Sequence, residues 1–362
     1  MKPYIPIALP LKNLDYNPVV HLVSRANRQI SKFDGVVMNM LSPQILLSPL
    51  TTNEAVLSSR IEGTQASFEE VLKFEAEPTK PTDKYDDIQE IINYRKTLRY
   101  GMDRTKDLPL CGRLMKEMHS ILLDSVRGHN RQRGEFRTSQ VHIGPLGCTI
   151  EKATYIPPSC EKVPGAISNL EKYLRFDEKD ILVQTAILHA QFEIIHPFLD
   201  GNGRIGRLLI PLFLYEKKVL SYPSFYMSEF FNNNREMYYD SLNRISKKND
   251  WLQWIKFFLT AVNEQAQVNI NKATKILELY ASSKERMVKL THSQFSVRAL
   301  DFIFNRPVFS SSQFYEGSGI PRPTAARILE LLRQAKVLAV IDQGRGRHPT
   351  TYGFFELLGV VS

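Results

Sequence analysis

The 362-residue chain holds only three cysteines, Cys111, Cys148 and Cys160, and only two tryptophans. An odd, widely spaced set of thiols excludes a disulfide framework and has no metal-ligand rhythm, so free thiols in a reducing cytoplasm are expected. No run of eighteen apolar residues occurs, which excludes a sequence-evident membrane span. The opening Met1-Lys2-Pro3-Tyr4-Ile5-Pro6 lacks the apolar core of a secretory signal. Internal repeats and low-complexity tracts are also missing. What remains is the composition of a soluble chain, long enough for two or three domains and a substantial core. The net charge is +9. From Lys284 to Ser362 eleven Lys/Arg face six Asp/Glu, a local net of +5 that suits a nucleic-acid surface or a solubilising basic face.

Helical periodicity dominates. Ile88, Ile91, Ile92 and Leu98 share one side of a helix predicted over 87–100, and Leu114, Met115, Met118 and Leu122 do the same over 110–123. Pro78 to Pro81 breaks the chain before the first of these. Residues 141–156 read as extended, interrupted by the turn chemistry of Gly144-Pro145-Leu146-Gly147. Residues 251–280 read as one or two connecting helices. In the tail, 297–304 is helical and Ser310 begins a capped helix. A turn at Gly317–Ile320 follows, then Pro321 opens a helix running to Gln334. Two strands, 337–341 and 350–354, flank the basic turn Gly344-Arg345-Gly346-Arg347-His348. Helix-turn-helix plus a basic hairpin resembles a winged helix, with Arg322, Thr324 and Arg327 facing outward and Arg345 and Arg347 at the wing tip. Such a module serves DNA contact or protein docking.

The densest chemistry lies in His196-Pro197-Phe198-Leu199-Asp200-Gly201-Asn202-Gly203-Arg204-Ile205-Gly206-Arg207. Apolar runs before it (181–195) and after it (208–214) read as buried helices, so the cluster is a loop between them. A helix starting near Asn202 points its unpaired N–H groups and positive dipole end at the loop, which makes a phosphate cradle. Arg204 and Arg207, three apart, are expected to reach one anion. A calcium loop is ruled out because its first and twelfth ligand positions would be Phe198 and Leu209. A Walker loop is ruled out because no Gly-Lys-Ser/Thr follows.

This stretch matches, position for position, the His-Pro-Phe-x-Asp/Glu-Gly-Asn-Gly-Arg-x-x-Arg signature of the Fic family, whose typical members are protein adenylyltransferases. Further similarity lies in Gly134-Glu135-Phe136-Arg137, Val141-His142-Ile143-Gly144 and Tyr155-Ile156-Pro157-Pro158, which resemble that family's flap hairpin region. Ser58-Ser59-Arg60-Ile61-Glu62-Gly63-Thr64 resembles its inhibitory motif, and Arg235, Tyr238 and Tyr239 resemble the segment that helps enclose the nucleotide. The resemblance spans about residues 40–260. It implies a mainly α-helical core with a small β-hairpin flap, to which the tail adds a winged helix. The expected divisions are an N-terminal helical region with the inhibitory motif (1–105), a catalytic core (106–260), a connecting helix (261–290) and a winged-helix domain (291–362).

The implied reaction is Mg²⁺-dependent transfer of AMP from ATP to a Ser, Thr or Tyr hydroxyl of a protein, the chain itself included. His196 suits the base, since imidazole is half-titrated near neutrality. Asp200 suits Mg²⁺ and could also cap the Asn202 helix. Nucleotide contacts are implied at Gly201, Asn202, Gly203, Arg204, Ile205, Gly206 and Arg207, with Asn202 donating to the α-phosphate and Glu62 and Tyr238 completing the set. Val141, His142, Ile143 and Gly144 would pin the target by strand addition. Ser58 and Glu62 form the inhibitory element, Glu62 holding Arg207 away from the γ-phosphate. His189, seven residues before His196, reads as a satisfied core histidine. Two alternatives stay open, removal of AMP with Glu62 positioning water and a nucleotide-sensing DNA-binding regulator. The partners are ATP and a hydroxyl-bearing protein, no membrane, and DNA or protein docking at the tail. A homodimer is also open.

Overall fold

The protein is described by a computed structural model over residues 2–12, 14–79, 81–124, 132–145, 147–345 and 348–361. In chain order the helices are α1 (Val20–Met38), α2 (Pro43–Leu46), α3 (Ser48–Ile61), α4 (Phe68–Ala76), α5 (Tyr85–Arg104), α6 (Gly112–Leu122), α7 (Val163–Leu174) and α8 (Ile181–Ile195). They continue with α9 (Asn202–Glu216), α10 (Ser228–Asn233), α11 (Arg235–Lys248), α12 (Trp251–Thr291), α13 (Ser296–Asn305), α14 (Ser311–Gly317), α15 (Arg322–Gln334) and α16 (Phe355–Val361). The strands are β1 (Val308–Ser310), β2 (Ala339–Asp342) and β3 (Thr351–Gly353).

The centre of the molecule is α8 against α9. Nearly every side chain of α8 is buried, as its continuous apolar run requires, and the helix starts where the Asp180 carboxylate accepts the Val183 N–H at 3.0 Å. Around this pair stand α3, α5, α6, α7 and α12. The Trp254 indole N–H donates to the Ala186 carbonyl at 2.8 Å, fixing α12 on α8.

The stretch 251–280, read as one or two connecting helices, is one, α12, which runs on to Thr291. It is a single 41-residue rod whose first half packs in the core and whose second half carries the tail. The expected 260/261 boundary therefore falls inside a continuous helix. Its apolar positions serve different partners in turn, α1 and α8 first and then α13, α15 and α16, so no single apolar face persists.

The flap is slighter than the hairpin expected over 141–156. Among the described residues it is held by one antiparallel bridge, Ile143 to Tyr155, and residues 150–152 form a 3-10 turn. Leu146 of its turn lies outside the described residues.

In the tail, the helix at 296–305 and the Ser cap of a new helix match expectation, and the structure adds that Gln313 completes a capping box with Ser310. The sequence missed β1. It joins a three-stranded antiparallel sheet of order β1-β3-β2, pairing Val308 with Gly353 and Ser310 with Thr351. Arg322 is exposed with its guanidinium 5.3 Å from the Tyr315 ring, Thr324 is half-buried and Arg345 is exposed. Arg327 is also exposed, but its guanidinium donates to the Thr291 carbonyl, which ties it to the end of α12. Gly346 and Arg347 lie outside the described residues. The tail packs on the N-terminal helices through Ser48 Oγ donating to the Asn305 carbonyl at 3.1 Å and Gln313 Nε2 donating to the Glu75 carbonyl at 2.6 Å.

Candidate active site

The loop between α8 and α9 is riveted from three directions. His196 leaves the helix in the left-handed region, φ 49° and ψ 62°, a cost that a non-glycine residue bears only when its surroundings enforce it. Arg137, buried, donates from Nε to the His196 carbonyl at 2.8 Å and from its backbone to the Pro197 carbonyl at 2.9 Å. Asn202 clamps Phe198, accepting its N–H at 2.8 Å and donating to its carbonyl at 2.9 Å. The Phe198 ring plugs the core under His119, with centroids 3.9 Å apart and planes 6° from parallel. His119 Nδ1 accepts the Gly134 N–H, so Nε2 carries the proton that reaches the Asp200 carbonyl at 3.0 Å. Burial pulls the His119 pKa down to about 4.

Asn202, expected to donate to a phosphate, also holds the loop through Oδ1 and one Nδ2 hydrogen, a clamp that uses only one of its two N–H donors. Asp200 was offered as a helix cap, but the cap position is Gly201 at φ +75°, where glycine suits the left-handed backbone. Asp200 Oδ1 accepts the Gly201 N–H at 2.6 Å and lies 3.5 Å from Arg204, with its side chain about one-third exposed.

His196 Nδ1 lies 3.3 Å from the Glu193 carbonyl. Donation there leaves Nε2 with its lone pair. Burial lowers the His196 pKa to about 4, so the ring is neutral at pH 7 and able to accept a proton.

Arg207 is fixed by the inhibitory-type segment. Its Nε donates to Ser58 Oγ at 2.8 Å, and its Nη2 to the Ser58 carbonyl at 2.9 Å and to Glu62 Oε1 at 2.7 Å. Burial would raise the Glu62 pKa, but the charge and hydrogen bond of Arg207, aided by the charge of Arg204, hold it below the usual carboxylate value. Glu62 Oε1 stands directly over Gly203, where a Cβ would come within 2.1 Å of it. The carboxylate thus occupies the space over the first turn of α9, where the unpaired N–H groups favour an anion.

The two arginines end at different carboxylates. Arg204 Nη1 reaches Glu90 at 2.9 Å, both side chains being buried, and Thr64 Oγ1 donates to the same Glu90 oxygen at 3.1 Å. Burial raises the Glu90 pKa although Arg204 opposes it. Glu193 crowds the other side of α9, where a Cβ on Gly206 would lie 2.2 Å from its Oε1. Burial pushes Glu193 up to about 8 against the pull of Arg207, so it is protonated at neutral pH and leaves Glu62 as the anionic partner.

Behind Ser58 lies a buried network that sequence reasoning did not find. Glu54, one turn earlier on α3, accepts from the Ser228 N–H at 3.2 Å, from Ser228 Oγ and from the Tyr94 hydroxyl at 3.1 Å. Burial raises its pKa to about 7. Nothing in the helical period separates this Glu from a solvated one. At the far end of α3, Arg235 donates to the Ile61 carbonyl at 2.7 Å.

Tyr238, expected at the nucleotide, is buried, and its hydroxyl donates to His189 Nε2 at 2.9 Å. His189 Nδ1 donates in turn to the Gly206 carbonyl at 3.0 Å, and burial holds its pKa near 3, so it is the satisfied core histidine expected. The neighbouring Tyr239 is the exposed ring, under the Arg235 guanidinium at 5.8 Å. In the flap, Val141 is half-buried and His142, Ile143 and Gly144 are exposed, with His142 Nε2 2.8 Å from the Cys148 carbonyl. The Tyr155 hydroxyl donates to the Ile194 carbonyl at 2.8 Å, tying the flap to the end of α8 beside His196.

Two family models match the chain, Fic/DOC family N-terminal over residues 20–103 and Fic/DOC family over 109–214. Among curated proteins, the "Probable protein adenylyltransferase" of Aquifex aeolicus is 30% identical over 48% of this chain and 51% of its own length. A protein adenylyltransferase of Caenorhabditis briggsae is 29% identical over 32% of this chain and 23% of its own. The chain thus spans about half, or less, of the curated relatives it matches. Among solved structures, a Fic family protein from Desulfovibrio desulfuricans aligns over 98% of both chains with a TM-score of 0.60 at 19% identity, a likeness of fold.

Proposed function

The chain belongs to the Fic/DOC family, and from that membership we propose that it transfers AMP from ATP to Ser, Thr or Tyr hydroxyls of proteins, itself included, under restraint by Glu62. The observation that carries this reading is the neutral His196 beside an anion cradle that a carboxylate already fills, with Glu62 Oε1 2.7 Å from Arg207.

The steps follow from the residues. His196 Nε2 takes the proton of the attacking hydroxyl as its oxygen bonds to the α-phosphorus, and the bond to the pyrophosphate oxygen breaks. The backbone N–H groups and dipole of the first α9 turn favour the phosphate charge. Arg207, once released by Glu62, meets the γ-phosphate. The donor set suits Mg²⁺, because a hard cation takes few carboxylates and Asp200 is the partly exposed one on the loop. When bound, the ion would offset phosphate charge. The exposed flap edge near Ile143 would align the target segment by main-chain pairing.

A second reading keeps the same residues. Glu62 and His196 stand near enough to influence each other's titration, and a carboxylate beside a neutral imidazole suits positioning water to remove AMP. The tail is read as a winged helix offering Arg322 and Arg345 to a duplex or a protein partner. Three free, half-buried thiols fit the cytoplasm. No helix among the described residues is long and apolar enough to cross a membrane.

The direct test is incubation with labelled ATP and a cell lysate. Wild-type protein should transfer label, whereas His196→Ala should transfer none while binding ATP nearly as well, since the imidazole acts on the hydroxyl and not on the triphosphate. Transfer at the normal rate by His196→Ala would refute the mechanism.

A further inference from the structure

We propose that a cavity of about 580 Å³ behind α3 binds a small organic phosphate of nucleoside-monophosphate size. It lies between α3, α4, α5 and residues 305–308 of the tail, and shares no lining residue with the 196–207 loop. Its volume falls in the range of small-molecule sites.

The charge around it is one-sided. Arg95, Lys96 and Arg99 enter from α5 and Arg306 from the tail, against the single lining carboxylate Glu75. Glu75 is already paired with Arg95, whose Nη1 donates to Thr52 Oγ1 at 2.8 Å. Lys96, Arg99 and Arg306 have no ion-pair partner among the described residues. Arg95 and Arg99, four apart, stack like charges on one helix face, which works against the helix, so its own stability does not explain the cluster. Guanidinium groups that line one cavity suit a phosphate. Phe74, Met102 and the Tyr222 ring supply apolar surface for the organic body.

The cavity is coupled to the inhibitory segment by construction. Ser48, Thr51 and Thr52 of α3 form one wall, and the same helix carries Ser58 and ends at Glu62. A ligand that needs this wall binds best while α3 is seated, and by linkage holds Glu62 on Arg207. That regulatory consequence rests on the AMP-transfer reading, whereas the binding does not.

The full chain is titrated by calorimetry with the four nucleoside monophosphates and with inorganic phosphate. At least one monophosphate should bind 1:1, more tightly than inorganic phosphate. Arg99→Glu with Arg306→Glu should weaken it at least tenfold, and Lys96→Glu alone should also weaken it. Arg207→Ala removes no group of the cavity and should weaken it only through the seating of α3, by less than the charge reversals do. The three substituted cations of the cavity face, Lys96, Arg99 and Arg306, are exposed, and unchanged melting confirms folding of their variants. No binding, binding indifferent to charge reversal, or binding that Arg207→Ala weakens more than the charge reversals do overturns the site. In the activity arm, a saturating monophosphate should slow auto-transfer by the wild type and not by Glu62→Gly. A bound ligand that leaves the wild-type rate unmoved overturns the coupling to α3. Absence of transfer from every variant would refute the AMP-transfer reading, and the binding titrations alone would then judge the site.

Discussion

Replacing Glu62 by Gly is the sharpest perturbation of the active site. Glu62 Oε1 meets Arg207 Nη2 at 2.7 Å, with the arginine side chain 1% and the glutamate side chain 35% exposed, so the pair is a charge-assisted hydrogen bond shielded from water on the arginine side. Such bonds contribute about 1.5–3 kcal/mol. At about 1.4 kcal/mol per factor of ten, removing the restraint should raise auto-transfer of AMP roughly tenfold to a hundredfold. Arg207 itself stays in place, because Ser58 still accepts from Nε and Nη2. The same substitution clears the space over Gly203. Glu62 is the last cap of α3 at φ −86°, where glycine adds no strain. The assay is incorporation of labelled AMP into the chain itself. Arg207→Ala in the Glu62→Gly background should erase the gain, since the two residues act through one another. Under the AMP-removal reading, Glu62→Gly should also stop hydrolysis of an already modified target. Unchanged transfer together with unchanged removal would refute the restraint.

Three further outcomes are expected. Because burial holds His196 near pKa 4, the base stays neutral down to that pH, so the transfer rate should show no inflection near 6.5 and should be lost only as acid approaches 4. A pH–rate profile that halves at 6.5 would refute a buried, neutral base. Asp200→Ala should raise the Mg²⁺ concentration needed for half-maximal transfer, and chelation should abolish transfer by the parent protein; metal-independent transfer would remove Asp200 from the reaction. In the tail, Arg322→Ala with Arg345→Ala should weaken duplex binding and flatten its salt dependence, while an intact tail without duplex affinity at low salt would assign the module to protein docking.

Much of the site was legible before any tertiary structure. The apolar run 181–195, the glycines after Asp200 and the apolar run that follows dictate two helices with a loop between them, and α9 begins at the expected Asn202. The Ser cap at Ser310 announces its helix because cap and first turn are sequence neighbours, with Gln313 closing the box within the same turn. The pairing of Glu62 with Arg207 was readable only through the resemblance, since 145 positions separate them. Only the folded chain decided the rest. Arg204 finds Glu90 across 114 positions and His119 finds the Asp200 carbonyl across 81, and no local period distinguishes such carboxylates or rings from solvated or merely packed ones. Tyr238 and Tyr239 are adjacent and alike in sequence, yet α11 turns one toward His189 and leaves the other exposed, a choice made by helix rotation against α8 and α12. Three residues of β1 are too short to show alternation, and their strand exists because β3 pairs with it. The cavity behind α3 is the extreme case: its cations come from α5 and the tail, and their convergence is a property of packing, because charge on separate elements acquires a common direction only when those elements meet.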